Sequence, residues 1–400
     1  MKPKLFAVVA TVALAAVFPA AQLAAGPAAT TVSCGQTLTA STTLTSDLRD
    51  CQGSGLLVGA DNIAIDLNGH TIDGTSAHKP GTGAIVTKGR HTNVTIKNGT
   101  ITDFYFSGVA LSGRGDVIRK VTMRNIGSGC RAGDQCAGIT LANCRGCTIA
   151  DSVVSTAVRN FQANGINVFA SPGTRVERNR VRGTAGEGIS MFQSPGSRIV
   201  GNKFEGNRGN GIQVNGSSDS TWVTDNDARG NRRAGIAVGA SRKARVLGNE
   251  VSDNGEVGLL LFDLRQSVAR GNRAQGNGTG IVLYAGQGGI AQFGGKHGAS
   301  GNELAANIAT NNGRAGIRVR GDGGKDRADN NLLSRNVANA NGRNGGIAIE
   351  GSATRNRLRG NTANANAGHG ITAVRGTIDA GGNRAHRNRR PPQCVGVRCA

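Results

Sequence analysis

Short runs of alternating apolar and polar residues recur along almost the whole chain, each three to five residues long and ended by Asn or Gly. Ile212-Gln213-Val214 is followed by Trp222-Val223-Thr224 and then by Asp227-Ala228-Arg229. Alternation with period two is the mark of a strand. Asn and Gly best tolerate the left-handed backbone of tight turns. A Gly followed by an aliphatic residue opens a strand at Gly138, Gly165, Gly188, Gly211, Gly235, Gly258, Gly280, Gly316, Gly346 and Gly370, with gaps of 27, 23, 23, 24, 23, 22, 36, 30 and 24. Weaker matches at Gly55, Gly83 and Gly108 extend the series to thirteen. Asn179, Asn202, Asn226, Asn249, Asn307 and Asn361 each stand nine residues before their Gly, and Asn272 stands eight before. A second Asn follows five later, at Asn207, Asn231, Asn254, Asn277, Asn312, Asn341 and Asn366. Three short strands in each unit, restarted in the same phase, cannot be a meander of hairpins. They predict a coil stacked on itself, each strand pairing in parallel with its counterpart about 4.8 Å away. Thirteen coils make a rod about 60 Å long. The Asn series then read as structural ladders, bonding to each other and to turn backbone.

Composition narrows this picture. Glycine is 63 of 400 residues, far above the usual share of roughly 7%. Without a Gly-X-Y period, and with 8 prolines, the chain is not collagen. That much Gly opposes a helical protein, at about 1 kcal/mol for each helical Gly. The regular recurrence of Val, Ile and Leu opposes disorder. Lys2 and Lys4 precede the apolar stretch Leu5–Phe18, interrupted by Thr11 alone, and then small residues to Ala29. Residues 1–30 read as a secretory signal peptide cleaved near 25–30; a retained anchor is the alternative, but the stretch is shorter than the roughly 20 residues a span needs. The expected protein is secreted and extracellular, with no internal membrane span.

Eight cysteines then meet an oxidising compartment. Their grouping suggests a Cys34–Cys51 staple at the N-terminal cap and Cys394–Cys399 at the C-terminal cap. Cys130, Cys136, Cys144 and Cys147 form two disulfides of open connectivity or a zinc site, since Cys144-x2-Cys147 has ligand spacing. The expected organisation is an N-terminal cap over 31–54, a β-helix over 55–388 and a basic tail or cap over 389–400.

The Gly-Ile and Asn-x4-Asn repeat resembles the right-handed parallel β-helix repeat of the pectate-lyase-like superfamily, including its NosD-type members. Asp66-Leu67-Asn68-Gly69-His70-Thr71-Ile72-Asp73-Gly74 resembles a first-coil consensus of its secreted bacterial members. The resemblance covers about residues 34–388. It implies a single-domain, all-β solenoid, to which the cysteine grouping adds disulfide-stapled caps, and saccharide binding along an outer sheet. It says little about chemistry, because the superfold hosts many activities.

Within Gly-Ile-x-Val, Ile and Val point inward, while x and the residue after Val point outward. Phe169, Phe192, Phe262 and Tyr284 share the last of these positions; Asn167, Ser190 and Gln213 occupy x. An aromatic and amide stripe suits sugar rings; an internal ring stack is the alternative. The 36-residue gap marks an insertion at Ala285–Ser300, carrying Phe293, Lys296 and His297 and leaving directly from Tyr284. Asp263, Arg265, Arg318 and Arg320 flank it. Such a set suits a lyase or epimerase acting on an acidic sugar. Arg neutralises the carboxylate, and His, Tyr or an unprotonated Lys or Arg removes the neighbouring proton. The expected catalytic residues are Tyr284, His297, Lys296 and Arg318. The expected substrate contacts are Phe169, Phe192, Phe262, Asp263, Arg265, Arg320, Asn167 and Gln213. A plain solvated loop is the competing reading.

A glycosidase fits less well. It wants two carboxyls about 5 to 9.5 Å apart, whereas Glu187 and Asp263 lie three coils, about 14 Å, apart. A formal charge of +22 points to an anionic partner. Secretion and the absence of a nucleic-acid motif favour an acidic polysaccharide or cell-wall glycan over nucleic acid. No cofactor is expected; calcium is compatible with a lyase, but no acidic cluster demands it. A monomer is expected. The function read from sequence is therefore binding, with lyase- or epimerase-type processing, of an acidic polysaccharide; the alternative is a non-catalytic carbohydrate-binding or surface module.

Overall fold

The computed structural model describes residues 29–400 apart from 76–80, 129, 132–133, 157–162 and 287–297. The expected signal peptide lies outside the described residues except for Ala29–Thr30, which form a short strand beside Thr43–Leu44. The described residues form strands and turns, with no helix among them, and every strand-to-strand register is parallel, as in Ile189↔Ile212 and Ile212↔Ile236. One 15-stranded sheet runs the length of the molecule. A 25-stranded sheet carries the other two strands of each coil, such as Trp222–Thr224 and Asp227–Arg229. The chain is a parallel β-helix.

The long sheet has two more rungs than the thirteen Gly-led strands. The additional rungs are Gln36–Leu38 and Cys394–Val395, each lacking the Gly-aliphatic pair because they belong to the end caps. Cys34–Cys51 and Cys394–Cys399 bridge these ends. The middle cysteines pair locally, Cys130 with Cys136 and Cys144 with Cys147. That removes the zinc alternative, since a disulfide has no thiolate to offer a metal.

The interior is built from columns. Ile166, Ile189, Ile212 and Ile236 stack from one sheet against Val176, Ile199, Val223 and Val246 from the other, all without solvent exposure. The Asn ladders run between these columns. Asn202 donates its backbone N–H and its Nδ2 to Asn226 Oδ1, both at 3.0 Å, and Nδ2 also reaches Val176 O at 2.8 Å. Asn226 repeats the pattern onto Asn249. The second series does the same from Asn207 through Asn231 to Asn254. Each amide satisfies turn N–H groups that would otherwise be buried unpaired, a loss of about 1–3 kcal/mol apiece. A third ladder escaped the sequence reading: Ser267, Asn302, Asn331 and Asn356, standing five residues ahead of the first series.

Two turn details differ from expectation. The left-handed residue is the one before each ladder Asn, such as Gly201 (φ 64°), Asp225 (φ 55°) and Gly248 (φ 62°), because the Asn itself must aim inward. The strand-leading Gly is required by close approach instead. A Cβ at Gly211 would stand 2.6 Å from the carbonyl oxygen of Gly235 in the next coil.

Candidate functional site

Outward residues of the long sheet form a surface that changes character from coil to coil while its backbone stays in register. Over the strands Asn164–Phe169, Ile189–Phe192 and Ile212–Asn215 this surface is a groove of about 870 Å³. Its floor is Asn167, Ser190 and Gln213. Phe169, Phe192 and Asn215 line one edge, and Asp134, Glu187, Arg208, Arg232, Arg233 and Glu256 stand at the other.

The aromatic edge is a stacked pair. The Phe169 and Phe192 rings lie 5.7 Å apart and within 2° of parallel. Phe169 is 44% exposed. The Phe192 ring extends over Gly216, where any Cβ would collide with it. These rings are therefore outside the core, and the internal-stack alternative does not hold for them.

The opposite edge is organised by the residue just before each strand-leading Gly. Asn164 Nδ2 donates to Asn167 Oδ1 at 2.8 Å, and Asn164 Oδ1 accepts the Glu187 N–H at 2.7 Å. The Asn210 N–H donates to the Glu187 carboxylate. Asn210 Nδ2 donates to Gln213 Oε1 at 3.0 Å, and its Oδ1 accepts the Ala234 N–H at 2.9 Å. This outer ladder orients the two amides expected to touch substrate. Burial pushes the Glu187 carboxyl above its ordinary pKa, against the opposing pull of the Asn210 N–H and the Arg233 charge. Sequence reading missed Asn164, Asn210, Arg208, Arg232 and Arg233, and weighed Glu187 only as a hydrolase acid. The available signal was an amide or carboxyl residue before the leading Gly in three successive coils, Asn164, Glu187 and Asn210, where later coils have Ala234, Val257, Thr279 and Ala315.

Three coils on, the same positions are filled differently. Phe262 is 8% exposed and packs with Ala234, Ala237, Ala240, Leu260 and Tyr284. Its ring lies across Gly239, so, unlike Phe169, it offers a ligand almost no free face. Tyr284 and Arg320 are register partners, as are Val282 and Arg318. The Tyr284 hydroxyl donates to Asp322, and its pKa is pushed up to about 12, chiefly by burial and then by Asp322. Such a phenol holds its proton and is poorly poised as a base. Arg320 pairs with Asp322 at 3.1 Å, and Arg318 pairs with Glu350. Asp263 Oδ1 accepts the N–H groups of Gly286 and Gly298 at 3.3 and 3.1 Å, and Arg265 Nε reaches Gly298 O at 3.5 Å. The structure thus brings Tyr284, Asp263, Arg265, Arg318 and Arg320 to neighbouring coils, mostly in contacts with one another's surroundings. Lys296 and His297 lie outside the described residues. Phe169, Phe192, Asn167 and Gln213 sit apart from this set, in the groove.

Two family models match the chain. The one described as right handed beta helix region matches residues 164–293 and 294–388. The one described as periplasmic copper-binding protein (NosD) matches residues 39–226. Among solved structures, the chain is similar to the periplasmic alginate epimerase AlgG, at 15% identity and a TM-score of 0.51 over 88% of this chain and 77% of that one. It is similar also to the A-module of the mannuronan C-5 epimerase AlgE6 from Azotobacter vinelandii, at 17% identity and a TM-score of 0.53 over 88% of each chain. At such identities the likeness is one of fold. No curated protein matches the sequence.

The described residues do not fit copper. Among the described residues, the groups close enough to share an ion are Asp116 with Cys144 and Cys147, and Asp134 with Cys130 and Cys136. All four sulfurs are in disulfides, and soft metals want thiolate or imidazole donors. Asp116 is buried, accepts the Val94 N–H at 3.0 Å, and has its pKa raised to about 6 by burial. His70 and His91 each face a separate Asp, Asp47 and Asp61.

Proposed function

The chain belongs to the right-handed beta helix family, and on that premise we propose that it is an extracytoplasmic protein that binds an acidic polysaccharide in the groove of its long sheet. The observation carrying this reading is the pairing, across one groove, of the Phe169–Phe192 stack with the amides Asn167 and Gln213 and the cations Arg208, Arg232 and Arg233. Rings cover the apolar faces of sugars, amides take up hydroxyls, and guanidinium groups take carboxylates in bidentate fashion. Two structural neighbours bear names as epimerases of alginate and mannuronan, and the chain's charge of +22 suits polyuronates of that kind. No helix among the described residues is long and apolar enough to cross a membrane.

Lyase- or epimerase-type processing is the second reading, favoured by Glu187. A carboxyl with a raised pKa beside a cation can take the proton next to a uronate carboxylate held by Arg233. The electron pair left on that carbon then expels the 4-linked oxygen, which takes a proton from water, and gives an unsaturated end; protonation of the same carbon by water from the opposite face gives the epimer. The test is incubation of the full chain with pectate, alginate and glycosaminoglycans, with and without calcium. New unsaturated ends appear in the ultraviolet and inverted uronates in NMR spectra. Loss of either signal in Glu187→Gln assigns it to the groove, and its loss only in Tyr284→Phe or His297→Ala assigns it to the insertion. Binding without turnover leaves the protein a carbohydrate-binding module. Absence of binding to every acidic polymer sinks the first reading.

A further inference from the structure

The 25-stranded sheet, on another side of the rod, carries its own outward column. Arg175, Arg198, Trp222 and Arg245 are successive register partners in four adjacent coils. Trp222 is the only tryptophan in the chain. Arg198 from the coil before and Arg245 from the coil after bracket it, their guanidinium carbons 5.3 and 4.8 Å from the ring centroid. All three arginines are exposed, and none is in an ion pair among the described residues. The neighbouring strand row behaves differently: Arg180 and Arg229 both pair with Glu205, and Arg229 also lies 3.9 Å from Asp227. Among the described residues, the arginines of this column therefore lack the carboxylate partners that Arg180 and Arg229 have in the next.

We propose that this Arg175–Arg198–Trp222–Arg245 column is a second binding strip, which takes a linear polyuronate along the rod axis. Stacking on an aromatic face fixes a guanidinium while leaving its in-plane N–H edge free to donate to a carboxylate. Trp222 thus acts as a spacer that aims two such edges outward. Coils repeat at about 4.8 Å, close to the rise per sugar in an extended 1,4-linked pyranose chain. In a twofold chain alternate carboxylates face the same side, and Arg198 and Arg245 stand two coils apart to meet them. Arg175 adds positive charge one rung further along, outside the alternating carboxylate register. Single-stranded nucleic acid is the poorer fit, because it needs an open ring face for base stacking and the two arginines occupy the indole. The strip stands on a different sheet from the groove and does not require the groove to bind. With both in use, one rigid rod holds a polymer at two sites, raising effective concentration at each.

The lone tryptophan reports on the strip directly. Oligogalacturonate titrated into the full chain at low salt should give a saturable change in tryptophan emission, reversed by added salt. Arg198→Ala or Arg245→Ala should weaken that response at least tenfold, and the double variant should lose it, with melting temperatures unchanged at these exposed positions. With an oligomer too short to span both sites, Phe192→Ala should leave the response intact, which separates the strip from the groove. A flat emission signal in the unaltered protein overturns the proposal. So does a response that persists in the double alanine variant, or an Arg198→Lys, Arg245→Lys double variant with unaltered affinity. A neutral oligoglucan or a single-stranded oligonucleotide that matches the uronate response overturns the assignment of ligand.

Discussion

Two stretches of the same outer face, three coils apart, use the same repeat positions to opposite ends. Around Ile166 to Asn215 the outward positions are Asn167, Ser190 and Gln213 with Phe169 and Phe192. Around Ile236 to Tyr284 they are Ala237, Leu260 and Val282 with Phe262 and Tyr284. The first stretch is a polar groove edged by charge. The second closes on itself as a small apolar cluster. Aromatic residues occur in both, so the ring does not decide. What decides is the polarity of its neighbours in the strand: beside amides a ring stays available, and beside Ala and Leu it is covered.

The largest effect expected from this difference is on stability. Phe262→Ala should destabilise the fold by about 3 kcal/mol, because its ring is 8% exposed and packed on every side. Phe169→Ala, at 44% exposure, should change stability by no more than about 0.5 kcal/mol. Urea unfolding measures both, and equal losses would break the comparison. Ligand affinity should reverse the ranking. Phe192→Ala or Gln213→Ala should weaken oligouronate binding about tenfold, close to 1.4 kcal/mol, while Phe262→Ala binds as before; calorimetry distinguishes them. A smaller effect belongs to Tyr284. Removing its hydroxyl in Tyr284→Phe takes a donor from Asp322, which keeps Arg320. A loss of about 1 kcal/mol is expected, with no change in affinity. A tenfold loss of affinity or turnover would move the site to the insertion.

The regular part of this fold was readable in the chain because the coil repeats its own chemistry. Gly-Ile-x-Val and Asn-x4-Asn recur since every rung must solve the same packing and turn problem as the last. The end rungs at Gln36–Leu38 and Cys394–Val395 were illegible for the converse reason: a cap has one stacked neighbour and no need of the repeat. The groove was half legible. Phe169, Phe192, Asn167 and Gln213 stood out by position, but Glu187, Asn210 and Arg233 gain their meaning from residues 23 or so away, brought beside them by stacking. Nor does sequence position alone separate Phe192 from Phe262. Their fates depend on which rings lean over Gly216 and Gly239, a matter of side-chain direction between coils.

The smallest predicted effect, and the one most specific to the groove, is a pH dependence. Glu187 is held above the ordinary glutamate value of 4.5 by burial, the largest cause, despite the Asn210 N–H and Arg233. A carboxyl whose pKa is higher in the folded chain binds its proton more tightly there than when unfolded. Its contribution to stability is fully present below the unfolded value and is lost as pH rises through the folded one. Stability of the unaltered protein should therefore carry a component that declines as pH climbs from near 4.5. Glu187→Gln, which keeps the shape and the accepting oxygen for Asn210, should lack that component and gain on the unaltered protein as the solution becomes neutral. The apolar stretch supplies the control, since its titratable phenol, pushed up to about 12, keeps its proton throughout: Tyr284→Phe should show a constant offset over the same range. Urea midpoints at several pH values measure the two differences. A Glu187→Gln difference as flat as that of Tyr284→Phe would mean that the carboxyl is hydrated like any surface glutamate, and the groove would lose its one group poised for proton transfer.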